Sequence, residues 1–230
     1  MTIAVVVFPG TNCEHDITHA LNILGTDTEY VWHRDVDISG ADGIVLPGGF
    51  AHGDYLRTGA IARLSPIMSE VERCASEGLP IVGVCNGFQI LCEAGILPGA
   101  LIANRDLKFI CKPIHVRVES NDSVLTRTAQ LGQVLRIPLN SYEGNYVTTD
   151  IEVVEAEGGV ILRYCDRSGE VTEETNPNGS TNSIAGIVNR GRNVAGLMPH
   201  PERAVEEILG SSDGRVLLES FIASVEAVKV

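Results

Sequence analysis

The stretch Pro80-Ile81-Val82-Gly83-Val84-Cys85-Asn86-Gly87-Phe88-Gln89-Ile90-Leu91 constrains the fold more than any other part of the chain. Its first half is apolar and partly β-branched, the pattern of a buried strand, and its second half has the apolar content of a helix. Between them stands Gly-x-Cys-x-Gly. Glycines two residues either side of a central residue are what a sharp strand-to-helix turn requires, because side chains there would strike the neighbouring backbone. The central residue is then held strained and exposed. At a helix N-terminus the partial positive charge and free N–H groups also favour a thiolate over a thiol. A free cysteine is more commonly a buried core residue. The paired glycines make Cys85 the leading nucleophile candidate.

The rest of the chain supplies a sheet for this unit to join. Ile3 to Phe8 is a continuous apolar run, as in a strand covered on both faces. Pro9-Gly10 breaks it, and Thr11-Asn12-Cys13-Glu14 has the form of a capping box. Ile17, Ala20, Leu21 and Leu24 then recur at helical spacing, and Gly25 closes the helix. Glu29 to His33 and Gly43 to Leu46 read as further strands, the latter ending in Pro47-Gly48-Gly49-Phe50. Gly59 to Glu77 reads as a helix interrupted near Pro66. Strands alternating with helices predict right-handed βαβ units and a mostly parallel sheet. After about residue 112 the texture changes. Ile114–Glu119, Val134–Ile137, Tyr146–Thr149 and Val160–Tyr164 are short β-like stretches without clear helices between them, which suggests an antiparallel extension or an edge hairpin set, and Ile184–Val188 and Val194–Met198 are two more short strands. Val216, Leu217, Leu218, Phe221, Ile222 and Val225 form one face of a closing helix. With no repeat and no low-complexity linker, the expectation is a single α/β domain over residues 1–230. In open parallel sheets ligands bind beyond the carboxyl ends of the strands, where Cys85 and the Gly48-Gly49 turn both fall.

Charge and cysteine usage narrow the function. A net charge of −13 argues against nucleic acid or an acidic membrane surface as the main partner. The six cysteines (13, 74, 85, 92, 111 and 165) include no C-x-x-C pair, which suggests reduced thiols in the cytosol. The opening residues lack the basic segment of a signal peptide, and no apolar run approaches membrane-spanning length, so the expectation is a cytoplasmic protein.

A thiolate nucleophile needs a base, and the base needs an orienting group. His200, in Leu197-Met198-Pro199-His200-Pro201-Glu202-Arg203, follows a predicted strand between two prolines and precedes a carboxylate by two residues. Pro201 suits the first position of a helix, which places His200 at its N-cap. Glu202 could complement the helix dipole, or fix the imidazole tautomer as a third catalytic member does. The turn Pro47 to Asp54, with Gly48 and Gly49, could donate backbone N–H groups to an oxyanion together with the N–H of Asn86. Cys13 is a rival nucleophile, but it lacks the flanking glycines and the capping box accounts for its setting. His15 and His19, at i and i+4, have no third ligand in the pattern, so a solvated helix face is favoured over a metal site. No Gly-Lys dipeptide occurs, which argues against a phosphate loop and ATP binding by that route.

Gly83-Val84-Cys85-Asn86-Gly87-Phe88-Gln89 with Pro199-His200-Pro201-Glu202 resembles the class I glutamine amidotransferases. Phe8-Pro9-Gly10-Thr11-Asn12-Cys13, Leu46 to Arg57 and Asn176 to Ile187 narrow the resemblance to the glutaminase subunits of phosphoribosylformylglycinamidine synthases. It covers essentially the whole chain. One loop departs: Ile137-Pro138-Leu139-Asn140-Ser141-Tyr142-Glu143-Gly144 lacks a histidine and a glycine that the family often has there. The resemblance implies a flavodoxin-like, three-layer αβα fold with an antiparallel extension. It implies that Cys85 attacks the side-chain amide of glutamine, with His200 as base, Glu202 as orienter and Gln89 helping to hold the substrate. It also implies two partners, a large synthetase subunit with a small accessory subunit. The chain itself would carry no cofactor, with ATP and Mg²⁺ on the synthetase, and would stay nearly idle until docked. A free-standing cysteine hydrolase or thiol stress protein on a similar turn is the alternative.

Overall fold

The computed structural model describes residues 1–228, so the last two residues of the expected 1–230 domain, Lys229 and Val230, lie outside the described residues. The first half alternates strands and helices: β1 (Thr2–Val7), α1 (Glu14–Ile23), β2 (Asp27–Trp32), β3 (Gly43–Leu46), α2 (Ile67–Ser76), β4 (Ile81–Val84) and α3 (Asn86–Glu93). β5 (Ala100–Ile102), β6 (Ile110–Val118), β7 (Val134–Ser141), β8 (Asn145–Val147), α4 (Ile151–Ala156), β9 (Val160–Cys165), β10 (Ile184–Val188), β11 (Val194–Leu197) and α5 (Gly214–Val228) follow. Nine strands form one sheet in the order β2-β1-β3-β4-β11-β10-β9-β6-β7, and β5 pairs with β8 separately.

The pairing divides this sheet. β2, β1, β3, β4 and β11 run parallel to one another. β10, β9, β6 and β7 continue it antiparallel. β3, β4 and β11 are buried at every position, as strands covered on both faces must be. β2, at the edge, exposes Tyr30 and Trp32. The α/β fold with a parallel core and antiparallel extension is therefore present. β11 is expected as a short strand, but its place in the parallel half is not: it follows β10 in a hairpin yet pairs parallel with β4, placing Leu197 beside Val84.

Three local expectations change. The helix expected from Gly59 to Glu77 breaks near Pro66 as expected, but only the part after the break, α2, is α-helical, and a 3₁₀ turn at Ala62–Leu64 precedes it. Pro66 disfavours helical backbone in the residue before it, and Ser65 is extended with ψ 143°. The capping box does not form. Cys13 is the N-cap of α1 and makes no side-chain cap bond, while the Thr11 hydroxyl accepts a hydrogen bond from the Phe8 N–H at 3.0 Å. α4 is a helix within the extension, whose short run of glutamates and valines buries only Val154.

The topology positions a site. Strand order reverses between β1 and β3, so the turns after β1, β3, β4 and β11 gather at one end of the parallel half. β7, last in sheet order, reaches this end too: the His200 N–H donates to the Pro138 carbonyl at 2.8 Å. No helix among the described residues is long and apolar enough to cross a membrane.

Candidate active site

Cys85 stands at the junction of β4 and α3 with φ 51° and ψ −104°, a conformation costly for any residue with a side chain. Its N–H donates to the Leu197 carbonyl of β11 at 2.8 Å, which anchors the turn to the neighbouring strand. A Cβ on Gly87 would sit 1.9 Å from the Leu46 carbonyl oxygen, and one on Gly83 would sit 2.6 Å from the Gly87 carbonyl carbon. Both glycines are thus required by close backbone approach, as their spacing suggested. Cys85 is 7 % exposed, and its thiol points to the Asn140 carbonyl of β7 at 3.5 Å.

His200 follows β11 as the N-cap of a 3₁₀ turn, Pro201–Arg203, with proline at its first position as expected. Its Nδ1 and Glu202 Oε1 are 2.6 Å apart, and both side chains are buried. Burial is the largest single influence and lowers the imidazole pKa, but the Glu202 carboxylate and the sulfurs of Cys85 and Cys13 together outweigh it and hold His200 well above the usual histidine range. The other nitrogen, Nε2, is buried without a hydrogen-bond partner. His200 lines a pocket together with Cys85, so the fold brings together Cys85, His200 and Glu202, the residues expected as nucleophile, base and orienter.

Cys13 is in the pocket as well, which its sequence setting did not indicate. A Cβ on Gly48 would lie 2.9 Å from His200 Cε1 and 3.0 Å from Cys13 Sγ, so the bare backbone of Gly48 lets the imidazole and the second thiol pack together. Arg203 Nη2 donates to Cys13 Sγ at 3.2 Å, and Arg203 Nε donates to Asp16 at 3.0 Å. What separates the two thiols is backbone: only Cys85 sits on the strained turn. Donor atoms of Cys13, His200 and Glu202 lie within 4.8 Å of one another, but Glu202 and His200 are already bonded to each other. His15 and His19 have separate partners, Tyr30 at 3.0 Å and Glu206 at 2.9 Å.

Gly49 and Gln89 line the pocket, and Asn86 begins α3, where first-turn N–H groups are free of helical partners. The two amide side chains, however, are tied into the frame. Asn86 Oδ1 accepts from the Ala51 N–H at 3.0 Å, and Asn86 Nδ2 donates to Gln89 Oε1 at 2.8 Å. Gln89 Nε2 donates to the Glu143 carbonyl at 2.5 Å. Gln89, expected to hold substrate, thus holds the loop after β7 against the turn after β4. Thr58 Oγ1 adds a bond to Glu143 Oε2 at 2.8 Å.

The loop that departs from the family pattern is a wall of the pocket, lined by Asn140, Ser141, Tyr142 and Glu143. The turn after β3 holds His52, Gly53, Asp54 and Leu56 at positive φ and brings Asp54 into the same lining. Burial, reinforced by the nearby Glu143, pushes the Asp54 carboxyl up to about 6. Sequence reasoning missed Asp54 and Glu143 as site residues. The available signal was a carboxylate in each of two loops following strands.

Comparison with known proteins agrees with this geometry. Residues 1–215 match the model of the CobB/CobQ-like glutamine amidotransferase domain. A phosphoribosylformylglycinamidine synthase subunit PurQ from Koribacter versatilis is 48% identical over 227 residues, covering 97% of this chain and 98% of that one. Its counterpart from Chlorobium luteolum is 52% identical over 224 residues, with 96% and 97% covered. A solved structure of PurLQS from Thermotoga maritima contains a chain that is 43% identical with a TM-score of 0.87, covering 96% of this chain and 97% of that one. Another glutamine amidotransferase from Thermotoga maritima, 16% identical with a TM-score of 0.56 and with 100% and 93% covered, shares the fold. The chain belongs to the CobB/CobQ-like glutamine amidotransferases and, within them, to the PurQ subunits of phosphoribosylformylglycinamidine synthase.

Proposed function

We propose that Cys85, His200 and Glu202 carry out the glutaminase reaction of this subunit, releasing ammonia from glutamine through a γ-glutamyl thioester. The Cys85 sulfur attacks the side-chain carboxamide carbon, and its proton goes to His200. The oxyanion takes hydrogen bonds from the Asn86 N–H and from backbone N–H groups of the Gly48-Gly49 turn. His200 returns a proton to the departing nitrogen, and ammonia leaves as the thioester forms. Water then adds to the thioester with His200 as base, and glutamate departs from a regenerated thiol. Glu202 orients the imidazole and stabilises its cationic form throughout.

The observation that carries this reading is the strained Cys85 turn beside a buried His200–Glu202 pair 2.6 Å apart. The 1–230 chain acts as one amidotransferase domain, and ammonia passes to a large synthetase subunit joined by a small accessory subunit. That synthetase converts formylglycinamide ribonucleotide to formylglycinamidine ribonucleotide, and it holds the ATP and Mg²⁺. The reaction belongs to the cytoplasm, and the isolated chain is nearly idle. Ammonia release from glutamine, measured with and without co-purified synthetase, tests this. Release only in the complex is expected, and equally fast release by the isolated chain contradicts it.

A further inference from the structure

Glutamine has three polar ends, and the triad accounts for only the carboxamide. The α-ammonium must lie elsewhere in the same pocket, desolvated and in need of an anionic partner. The pocket lining contains two carboxylates, Asp54 and Glu143, near enough that the Glu143 charge acts on Asp54. They arrive from different strands, Asp54 after β3 and Glu143 after β7.

The two are held differently. Glu143 is fixed: Thr58 donates to its Oε2 at 2.8 Å, and Gln89 grips its carbonyl at 2.5 Å. Asp54 is presented without a partner. Its Oδ1 is buried and makes no hydrogen bond, an arrangement that costs free energy until something donates to it. A second buried group is also waiting. Ser141 is 4 % exposed, lines the same pocket, and its hydroxyl is likewise without a partner. The backbone around Asp54 is in the left-handed region at positions 52, 53, 54 and 56, so the placement of this carboxylate is maintained against local preference.

We propose that Asp54, facing Glu143, forms the subsite that recognises the α-ammonium of glutamine, with the Ser141 hydroxyl completing it. The proposal rests on the glutaminase reading above. It assigns recognition of the amino group to side chains from the loops flanking the catalytic turn, and it leaves Gln89 its observed role of clamping Glu143. Burial chiefly, and the neighbouring Glu143 secondarily, raise the Asp54 carboxyl pKa, and an entering cation would relieve both. The other titratable groups facing this pocket are Tyr142, Cys13, Cys85, His200 and Arg203.

The test compares glutamine with its deamino analogue, the same carboxamide acid lacking only the α-amino group. It is run on the complex with the synthetase. The analogue should bind the wild type about ten- to a hundredfold more weakly than glutamine, the worth of a charge-assisted hydrogen bond. Asp54→Asn should raise KM for glutamine by a similar factor and more than it lowers kcat, while leaving the affinity of the analogue unchanged. Glu143→Gln, which can still accept from Thr58, should do the same to a smaller degree and serves if Asp54→Asn does not fold. Equal weakening of both ligands would assign Asp54 a structural role and overturn the proposal, as would an unchanged KM. Labelling of Cys85 by iodoacetamide, which has no amino group, should persist in both variants. Wild-type complex that releases no ammonia from glutamine would sink the glutaminase reading itself, a separate outcome.

Discussion

Replacing Glu202 by glutamine isolates the charge of the orienting group. Glu202 Oε1 lies 2.6 Å from His200 Nδ1, and its other oxygen is buried without a partner. Glutamine can therefore keep the Oε1···H–Nδ1 bond and put its amide nitrogen where an unpaired oxygen already sits. Shape and tautomer survive, and the negative charge does not. Two delocalised charges whose centres are roughly 4 Å apart interact by about 4 kcal/mol at an effective dielectric constant near 20. The amide dipole returns part of this, leaving a net loss of about 3 kcal/mol on the imidazolium that forms as Cys85 gives up its proton. That corresponds to a fall in kcat of about a hundredfold or somewhat more, at nearly unchanged KM. The assay is steady-state ammonia release in the complex, with thermal melting to show that Glu202→Gln is folded. The His200 pKa should fall as well, because the main influence raising it is gone. A folded variant with kcat within about threefold of wild type would refute the reasoning, since differences that small are only fractions of a kcal/mol.

Other outcomes follow from the same geometry. Gly87→Ala places a methyl 1.9 Å from the Leu46 carbonyl, where only backbone could give way. It should cost about 1–3 kcal/mol or more in urea unfolding and abolish Cys85 labelling. Asp54 carries an ionisation cost in the folded state, because its pKa rises from 3.8 to about 6. That cost is absent below the unfolded value and complete above about pH 6. Asp54→Asn should therefore stabilise the protein at pH 7. A rise of that size corresponds to about 3 kcal/mol unscreened, and the partial exposure of this side chain reduces the gain to about 1 kcal/mol. Below pH 4 the variant and the wild type should melt alike. For the same reason KM for glutamine should fall as pH rises through about 6, a trend absent for the deamino analogue. Tyr146→Phe removes the hydroxyl that donates to the Pro98 carbonyl at 3.0 Å beneath α3 and should cost about 1 kcal/mol by chemical denaturation.

What the sequence made legible was local chemistry. The spacing of Gly83, Cys85 and Gly87 encodes a steric fact, and the Cβ positions in the fold restate it as distances. Pro201 announced the turn that places His200 two residues before Glu202. Long-range placement was not legible. Nothing in Val194–Leu197 says that the strand lies parallel to β4 and sets His200 beside Cys85. Nothing near Cys13 says that Gly48 will let it pack against the same imidazole. The misread capping box has a related cause: Thr11 satisfied a backbone group behind it, at Phe8, before any helix began. The expectations for Asn86 and Gln89 concern a backbone N–H and a role implied by resemblance; that their side chains knit three loops together was not legible.

The mechanism depends most on which thiol forms the covalent intermediate. Complex incubated with isotopically labelled glutamine can be quenched in acid, digested, and each cysteine peptide weighed. A γ-glutamyl adduct on the Cys85 peptide alone, lost in His200→Ala, is the predicted result. An adduct on Cys13, or none on any cysteine while ammonia is still released, would contradict it.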